Sequence, residues 1–225
     1  MIIAVDGTAA SGKGTLAKAL AAELGLAHLD TGALYRACGL TLMLEGADPS
    51  SVDEHAAEIA AKNLDFSLTK DARIRTAEAG EMASVVAAMP EVRAALLEGQ
   101  RRFAYSVTPE LKDGLRKGLR GAILDGRDIG TVVLPDADYK FFVDADVDIR
   151  AHRRWKELIN HGSEAMLPAI MEDLVKRDER DRSRQHAPLK PADNAILVDT
   201  TEKSVEEMVR FALKAIGRQP LPGKS

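Results

Sequence analysis

The chain has 225 residues, 45% of them hydrophobic, with 31 Lys+Arg against 35 Asp+Glu and a net charge of -4. That length and apolar content suit one large domain with a real core and exclude general disorder. An acidic balance argues against binding nucleic acid through overall charge, and no run of about eighteen apolar residues is present to cross a bilayer. Asp6 and Lys13 break up the early apolar residues, so the start lacks a secretory layout and a cytoplasmic protein is expected. Cys38 is the one cysteine, expected to be a buried, inert thiol.

In chain order, "MIIAV" reads as a buried strand, followed by a glycine loop and a helix with Leu16, Leu20 and Leu24 on one face, stopped by Gly25. "AHLD" is a second strand, leading into a helix through "TGALYRACGLTLML" that ends near Gly46. Residues 47 to about 120 interrupt the alternation with mostly helical polar segments. "AILDG" and "YKFFVDA" then restore it as two short apolar strands of the parallel, doubly covered kind. A charged helix over 147–160, a break at Gly162 and a second helix through "LVKRDERDRSR" come next. "AILVD" is the fifth strand, and Ser204 with Glu207 forms a capping box opening the last helix. Five strands alternating with helices predict a three-layer α/β fold around a parallel sheet, with "RQPLPGKS" as a frayed tail.

"GTAASGKGT" spans residues 7–15 and has the spacing of a phosphate-binding P-loop: Gly7, four residues, Gly12, Lys13. In such a loop successive backbone N–H groups and a helix N-terminus face the phosphates, and the lysine reaches the β- and γ-phosphates. Gly7, Ala9, Ala10, Ser11, Gly12, Lys13, Gly14 and Thr15 are therefore the expected contacts for the ATP phosphates. Gly14 stands where the strict pattern has Ser or Thr, and the hydroxyl follows at Thr15; this spelling belongs to nucleoside-monophosphate kinases. Asp125, at a strand end, is placed to organise Mg2+ with Thr15, directly or through water. A plain strand-end turn is the alternative for Asp125.

Residues 150–190 hold ten Lys+Arg and seven Asp+Glu, a local excess of +3 in an acidic chain. "KRDERDRSR" reads either as a solvated helix laced with ion pairs or as a cationic lid over phosphates. The positive side chains suit a kinase with a phosphate acceptor: the acceptor is already mostly dianionic near neutral pH, so cations matter more than a general base.

With the loop, the segments "LDTGALYR" (29–36), "ILDGRDIGTVVLPDADYKFFVDA" (123–145) and "KRDERDRSR" (176–184) resemble bacterial cytidylate kinases, the (d)CMP kinase family, across nearly the whole chain. The resemblance implies a P-loop kinase fold with core segments 1–46, 121–149 and 190–225, a CMP-binding insertion over about 47–120 and a helical lid over about 150–189. It implies ATP as phosphate donor, Mg2+, CMP or dCMP as acceptor, no nucleic-acid or membrane partner, and a monomer. For CMP it implies Thr31 (in place of the family's serine), Arg36 and Arg127 on the acceptor phosphate, with Tyr35 against the base. It further implies Ser84 and Asp128 on the cytosine amino group and Arg93 on the base acceptors. Arg177 and Asp181 would meet the ribose and Arg184 a phosphate; Arg153 is a candidate on the ATP side. Lys13, Asp125, Arg127 and Arg184 are the expected catalytic group.

An aspartate facing the N4 amino group and an arginine facing N3 and O2 suit cytosine, whereas uracil's O4 would repel the aspartate. Structural roles remain open for several of these: a helix cap for Thr31, core for Tyr35, a small helical residue for Ser84 and helix surface for Arg93. The stretch between Lys62 and Arg75 is shorter than in the family, which leaves Arg75 out of the site. "YSVTPELKDGLRKGL" is longer, and Glu110 to Arg120 is expected to be exposed and mobile. The competing readings are an adenylate, uridylate or shikimate kinase, and a non-catalytic ATP-sensing or nucleic-acid-binding module.

Overall fold

A computed structural model describes residues 1–106, 119–160, 162 and 164–217. The expected mobile loop (all but Leu119 and Arg120) and the expected frayed tail lie outside the described residues. By internal contacts the chain divides into two compact units, one of Met1–Asp30, Arg101–Asp146 and Leu189–Ser225, the other of Thr31–Gln100 and Val147–Pro188.

The first unit holds the five predicted strands: β1 (Ile2–Gly7), β2 (Ala27–Asp30), β3 (Ala122–Gly126), β4 (Tyr139–Asp144) and β5 (Ile196–Asp199). They form one parallel sheet in the order β2-β3-β1-β4-β5. All five residues of β3 are buried, as are all but the first of β1, which is why both read as near-continuous apolar runs. Val5 pairs with Asp125 on one side and Phe141 on the other, so the P-loop leaves β1 at the same sheet edge that Asp125 reaches.

Helix α1 (Lys13–Leu24) and the final helix, α8 (Val205–Ala215), complete the hydrophobic core of this unit. Leu16, Leu20, Met208, Ala212 and Leu213 pack with Ile3, Val5, Ile123, Phe141, Val143 and Val198. Each fully buried large side chain here contributes about 1.5–3 kcal/mol. Gly25 stops α1 in the left-handed conformation, φ 65°, and the capping box at Ser204 and Glu207 is formed in full.

The second unit is helical. Helix α2 (Thr31–Leu44) follows β2 without a linker and packs on α3 (Glu54–Lys62) and α4 (Ala77–Val86). Residues 31–46, grouped with the core from the sequence, thus belong by their contacts to this unit, because α2 buries Leu34, Ala37, Cys38, Leu40 and Leu42 there. Gly39 permits the close approach of α2 to α4: a Cβ there would lie 2.9 Å from Met82 Cγ.

Between α3 and α4 the chain forms two 3-10 turns, Phe66–Lys70 and Ala72–Arg75. Asp65 and Asp71 accept from the N–H groups of Ser67 and Arg73, and Thr76 caps α4 by accepting from Ala79 N–H. Closely spaced capping side chains cut this segment into short turns. Helix α5 (Pro90–Tyr105) contributes residues 90–100 to the second unit and its last turn to the first. Helices α6 (Val147–Asn160) and α7 (Leu167–Ser183) pack together in the second unit, with Gly162 between them at φ 82°.

Candidate active site

In the first unit, the loop after β1 is shaped by backbone constraints at three positions. Gly7 has φ 155°, and a Cβ there would fall 2.0 Å from the Val143 carbonyl oxygen, so no larger residue fits. Ala10 is left-handed at φ 58°, and Gly12 sits at the N-cap of α1 with φ 89°. Glycine at that position offers no capping side chain, and Lys13, Gly14 and Thr15 form the first turn of the helix. Ala9 and Ser11 are buried, Ala10, Gly12, Lys13 and Gly14 half-buried, and Thr15 is exposed.

The loop is braced from the ends of β4 and β5. Thr8 Oγ1 donates to Asp144 Oδ1 at 2.6 Å, and Thr200 Oγ1 donates to the Ser11 carbonyl at 2.7 Å. Ser11 Oγ and Lys13 Nζ both donate to the Thr8 carbonyl, at 3.0 and 3.1 Å. Thr8, Ser11 and Thr200 are fully buried, so the bonds from Ser11 to Thr8 and from Thr200 to Ser11 are shielded from water. Neither Asp144 nor Thr200 was expected from the sequence, since each lies at a strand end far from the loop in the chain.

Asp125 is 3% exposed and lies against the first turn of α1: a Cβ on Gly14 would be 3.5 Å from its Oδ2. Its Oδ1 shares a 2.7 Å hydrogen bond with His28 Nε2, a β2 residue that sequence reasoning passed over. The acidic side chain therefore lies against Gly14, whose next residue in the helix is Thr15. No cluster of three His, Cys, Asp or Glu suited to a metal occurs among the described residues. A hydroxyl and one carboxylate fit Mg2+, which keeps most of its water and binds through one or two carboxylates plus phosphate oxygens.

Arg127 and Asp128 follow β3 in the same unit. Asp128 is buried, and Arg127 is half-buried with Nη1 donating to the Gly126 carbonyl at 3.3 Å. Just beyond them, the N–H groups of Ile129 and Gly130 donate to Asp6, whose carboxyl is pushed up to about 7. Burial is the main cause, opposed by those two hydrogen bonds.

In the second unit, α2 carries Thr31, Tyr35 and Arg36, α4 carries Ser84 and α5 carries Arg93. Thr31 and Tyr35 are buried. The Arg93 guanidinium lies 5.7 Å from the centre of the Tyr35 ring, a cation–π contact, and its Nη1 donates to the Ala87 carbonyl at 3.1 Å. Two residues expected around a base are thus brought together. Ser84 is 1% exposed, and its Oγ has no hydrogen-bond partner among the described residues.

Ser84 also lines a cavity of about 300 Å³ with Arg177 and Arg180 of α7 and Arg154 of α6. Arg93, Arg153, Asp181 and Arg184 are not part of that lining. Asp181 and Arg184 form an ion pair at the end of α7, both almost completely buried. Arg153 on α6 is half-buried, and desolvation holds its pKa below the ordinary arginine value. Arg154, not singled out from the sequence, donates through Nη2 to the carbonyls of Arg75 and Thr76 at 3.3 and 3.2 Å. Its neighbour Arg153 carries the same sequence signal, so only packing distinguishes the two.

A family model described as cytidylate kinase matches residues 3–218. A cytidylate kinase of Methylocella silvestris is 53% identical over 213 residues, covering 95% of this chain and 92% of that protein. One from Azorhizobium caulinodans is 49% identical, with 97% and 98% covered, and one from Cereibacter sphaeroides is 47% identical, with 99% and 98% covered. A solved sugar kinase from Janibacter sp. HTCC2649 is 16% identical, with TM-score 0.48 and 96% and 94% covered. With a family match over nearly its whole length, and relatives near half identical end to end, the chain belongs to the cytidylate kinase family.

Proposed function

We propose that this protein transfers the γ-phosphate of ATP to CMP or dCMP, releasing ADP and CDP or dCDP. The observation that carries this reading is end-to-end membership in the cytidylate kinase family, together with the braced P-loop of residues 7–15. An oxygen of the CMP phosphate attacks the γ-phosphorus, and the bond from that phosphorus to the β,γ-bridging oxygen breaks, leaving the electron pair on ADP. The acceptor arrives mostly dianionic, so the protein's task is alignment and charge neutralisation.

Lys13 and the loop N–H groups hold the β- and γ-phosphates, Arg153 approaches the ATP side, and Arg184 spans the transferring charge. Thr31, Arg36 and Arg127 hold the acceptor phosphate; Arg177 and Asp181 hold the ribose. Mg2+, when bound by Thr15 and Asp125 through water or directly, neutralises phosphate charge. Asp128 and Ser84 accept from the cytosine amino group, with Arg93 on N3 and O2 and Tyr35 against the base. The buried Ser84 hydroxyl, without a partner among the described residues, supports this part of the reading, since a ligand donor would satisfy it. The protein acts as a monomer in the cytoplasm.

The test is an ADP-release assay with CMP, dCMP, UMP, AMP and shikimate as acceptors, on the wild type and on Asp128→Asn. CMP and dCMP should lead, and Asp128→Asn should lower CMP use relative to UMP. Preference for AMP or shikimate over CMP would overturn the reading, as would ATP binding without turnover of any acceptor.

A further inference from the structure

The turn that follows Asp128 is gripped at both ends by side chains from elsewhere in the first unit. Residues Ile129–Val133 make one turn of π-helix, which receives no side-chain cap from Asp128. Its leading N–H groups, those of Ile129 and Gly130, donate instead to Oδ1 and Oδ2 of Asp6, each at 2.7 Å. At its trailing end, Arg101 donates through Nε to the Val133 carbonyl and through Nη2 to the Val132 carbonyl, each at 3.0 Å. Gly130 fits tightly between Lys140 and Asp6: a Cβ there would lie 3.1 Å from Lys140 Cδ and 3.4 Å from Asp6 Oδ2.

Asp6 is 4% exposed and immediately precedes Gly7, the first residue of the P-loop. Burying a carboxyl group is unfavourable unless its oxygens are hydrogen-bonded, and here both oxygens are engaged by consecutive backbone donors. Asparagine has the same shape but presents one acceptor and one donor, so it would set an N–H against an N–H. A negative side chain beside a phosphate loop would also oppose ATP if it faced the phosphates, and these two bonds direct it to the turn instead. The arrangement makes one residue a link between the strand that feeds the P-loop and the segment bearing Arg127 and Asp128.

We propose that Asp6 is a positioning residue for acceptor recognition: it fixes the 129–130 backbone and so the direction of Arg127 and Asp128, with Arg101 closing the far end of the turn. This rests on the assignment of Asp128 to the cytosine base given above. Asp6 makes no substrate contact and acts through the turn.

The experiment combines the acceptor panel with amide hydrogen exchange on Asp6→Asn, Asp128→Asn, the double variant and Arg101→Gln. For Asp6→Asn the expected result is a fall of about tenfold in the CMP-to-UMP ratio of kcat/KM. KM for ATP should stay within about twofold, and exchange at Ile129 and Gly130 should accelerate. In the Asp128→Asn background, Asp6→Asn should change the ratio no further, because its effect runs through Asp128. Arg101 is exposed, so Arg101→Gln tests the same clamp without threatening the core, with about a threefold fall in the ratio expected. If Asp128→Asn changes the ratio while Asp6→Asn and Arg101→Gln do not, the positioning role is overturned and the base assignment stands. If Asp128→Asn leaves the ratio unchanged, the base assignment fails, and with it this route of action. An Asp6→Asn effect that persists in full in the double variant would also overturn the inference.

Discussion

Arg150 of α6 and Asp178 of α7 form an ion pair at 2.7 Å, with their side chains only 5% and 6% exposed. The pair pins the helix that carries Arg177, Asp181 and Arg184 at a fixed rotation, since residue 178 faces inward beside them. Its satisfaction is incomplete: Asp178 Oδ1 has no hydrogen-bond partner among the described residues. Arg150→Met leaves the carboxylate buried without its cation and is expected to cost about 3–5 kcal/mol, against little net cost for Arg150→Met with Asp178→Leu. Thermal unfolding should show a drop of about 10 °C for the single variant and recovery of most of it in the double. Equal losses in both would mean that the pair is not what holds these helices.

Lys13 is the side chain expected to follow phosphate charge, and here its ammonium donates back to the loop at the Thr8 carbonyl. Lys13→Met keeps most of the aliphatic stem and removes the cation. The expected outcome is a fall of about 10²- to 10³-fold in kcat with CD spectrum and CMP affinity unchanged, read by steady-state kinetics and calorimetry. A variant that loses CMP binding instead would move Lys13 from the donor to the acceptor side.

Asp6 should leave a signature in the pH dependence of stability. Its folded-state pKa is raised from 3.8 to about 7, first by burial and further by Asp128, with the Gly130 and Ile129 N–H groups and Arg127 acting the other way. Between about pH 4 and pH 7 the native state holds this proton more tightly than the unfolded chain, so unfolding releases it. Stability from this group is therefore fully present near pH 4, declines as pH rises through that window, and is level above about pH 7. Subtracting the Asp6→Asn curve from the wild-type curve, both from urea titrations at several pH values, isolates it. A flat difference between pH 4 and pH 7 would contradict the shift.

Cys38 is fully buried on α2, its thiol directed at the Ala57 carbonyl at 3.7 Å and pushed up to about 11 by desolvation. The thiolate is the reactive form, and it is scarce here. Ellman's reagent should label the native protein only at the rate of local opening and one thiol per chain promptly after denaturation. Fast labelling of the native state would show that α2 and α3 separate readily.

Much of the fold is legible in the residues because each local signal points the same way. Short apolar runs mark β1, β3, β4 and β5, Gly25 stops α1, and Ser204 with Glu207 opens α8, all as found. The P-loop is equally plain, since Gly7 and Gly12 occupy positions where the backbone admits nothing larger or needs a left-handed turn. Its supports are not legible. Asp144 and Thr200 reach the loop from strand ends more than 130 residues away, and a strand-end aspartate or threonine has no local pattern that announces such a bond.

Asp6 shows the same boundary within a single residue. In the sequence it is a charge that interrupts an apolar strand; in the fold it is the acceptor for two N–H groups more than 120 residues downstream. Arg153 and Arg154 are adjacent and alike in the sequence, and it is the fold that turns Arg154 to the carbonyls of Arg75 and Thr76. The sequence by itself determined the strands, the helix ends, the phosphate loop and the segments that carry the family resemblance, because those depend on periodicity, backbone sterics and near neighbours. The tertiary structure alone decided which buried polar groups meet: Asp6 with the 129–130 turn, His28 with Asp125, Arg150 with Asp178. Such pairings are chosen by the desolvation of side chains brought together from distant parts of the chain, and sequence spacing carries no record of them.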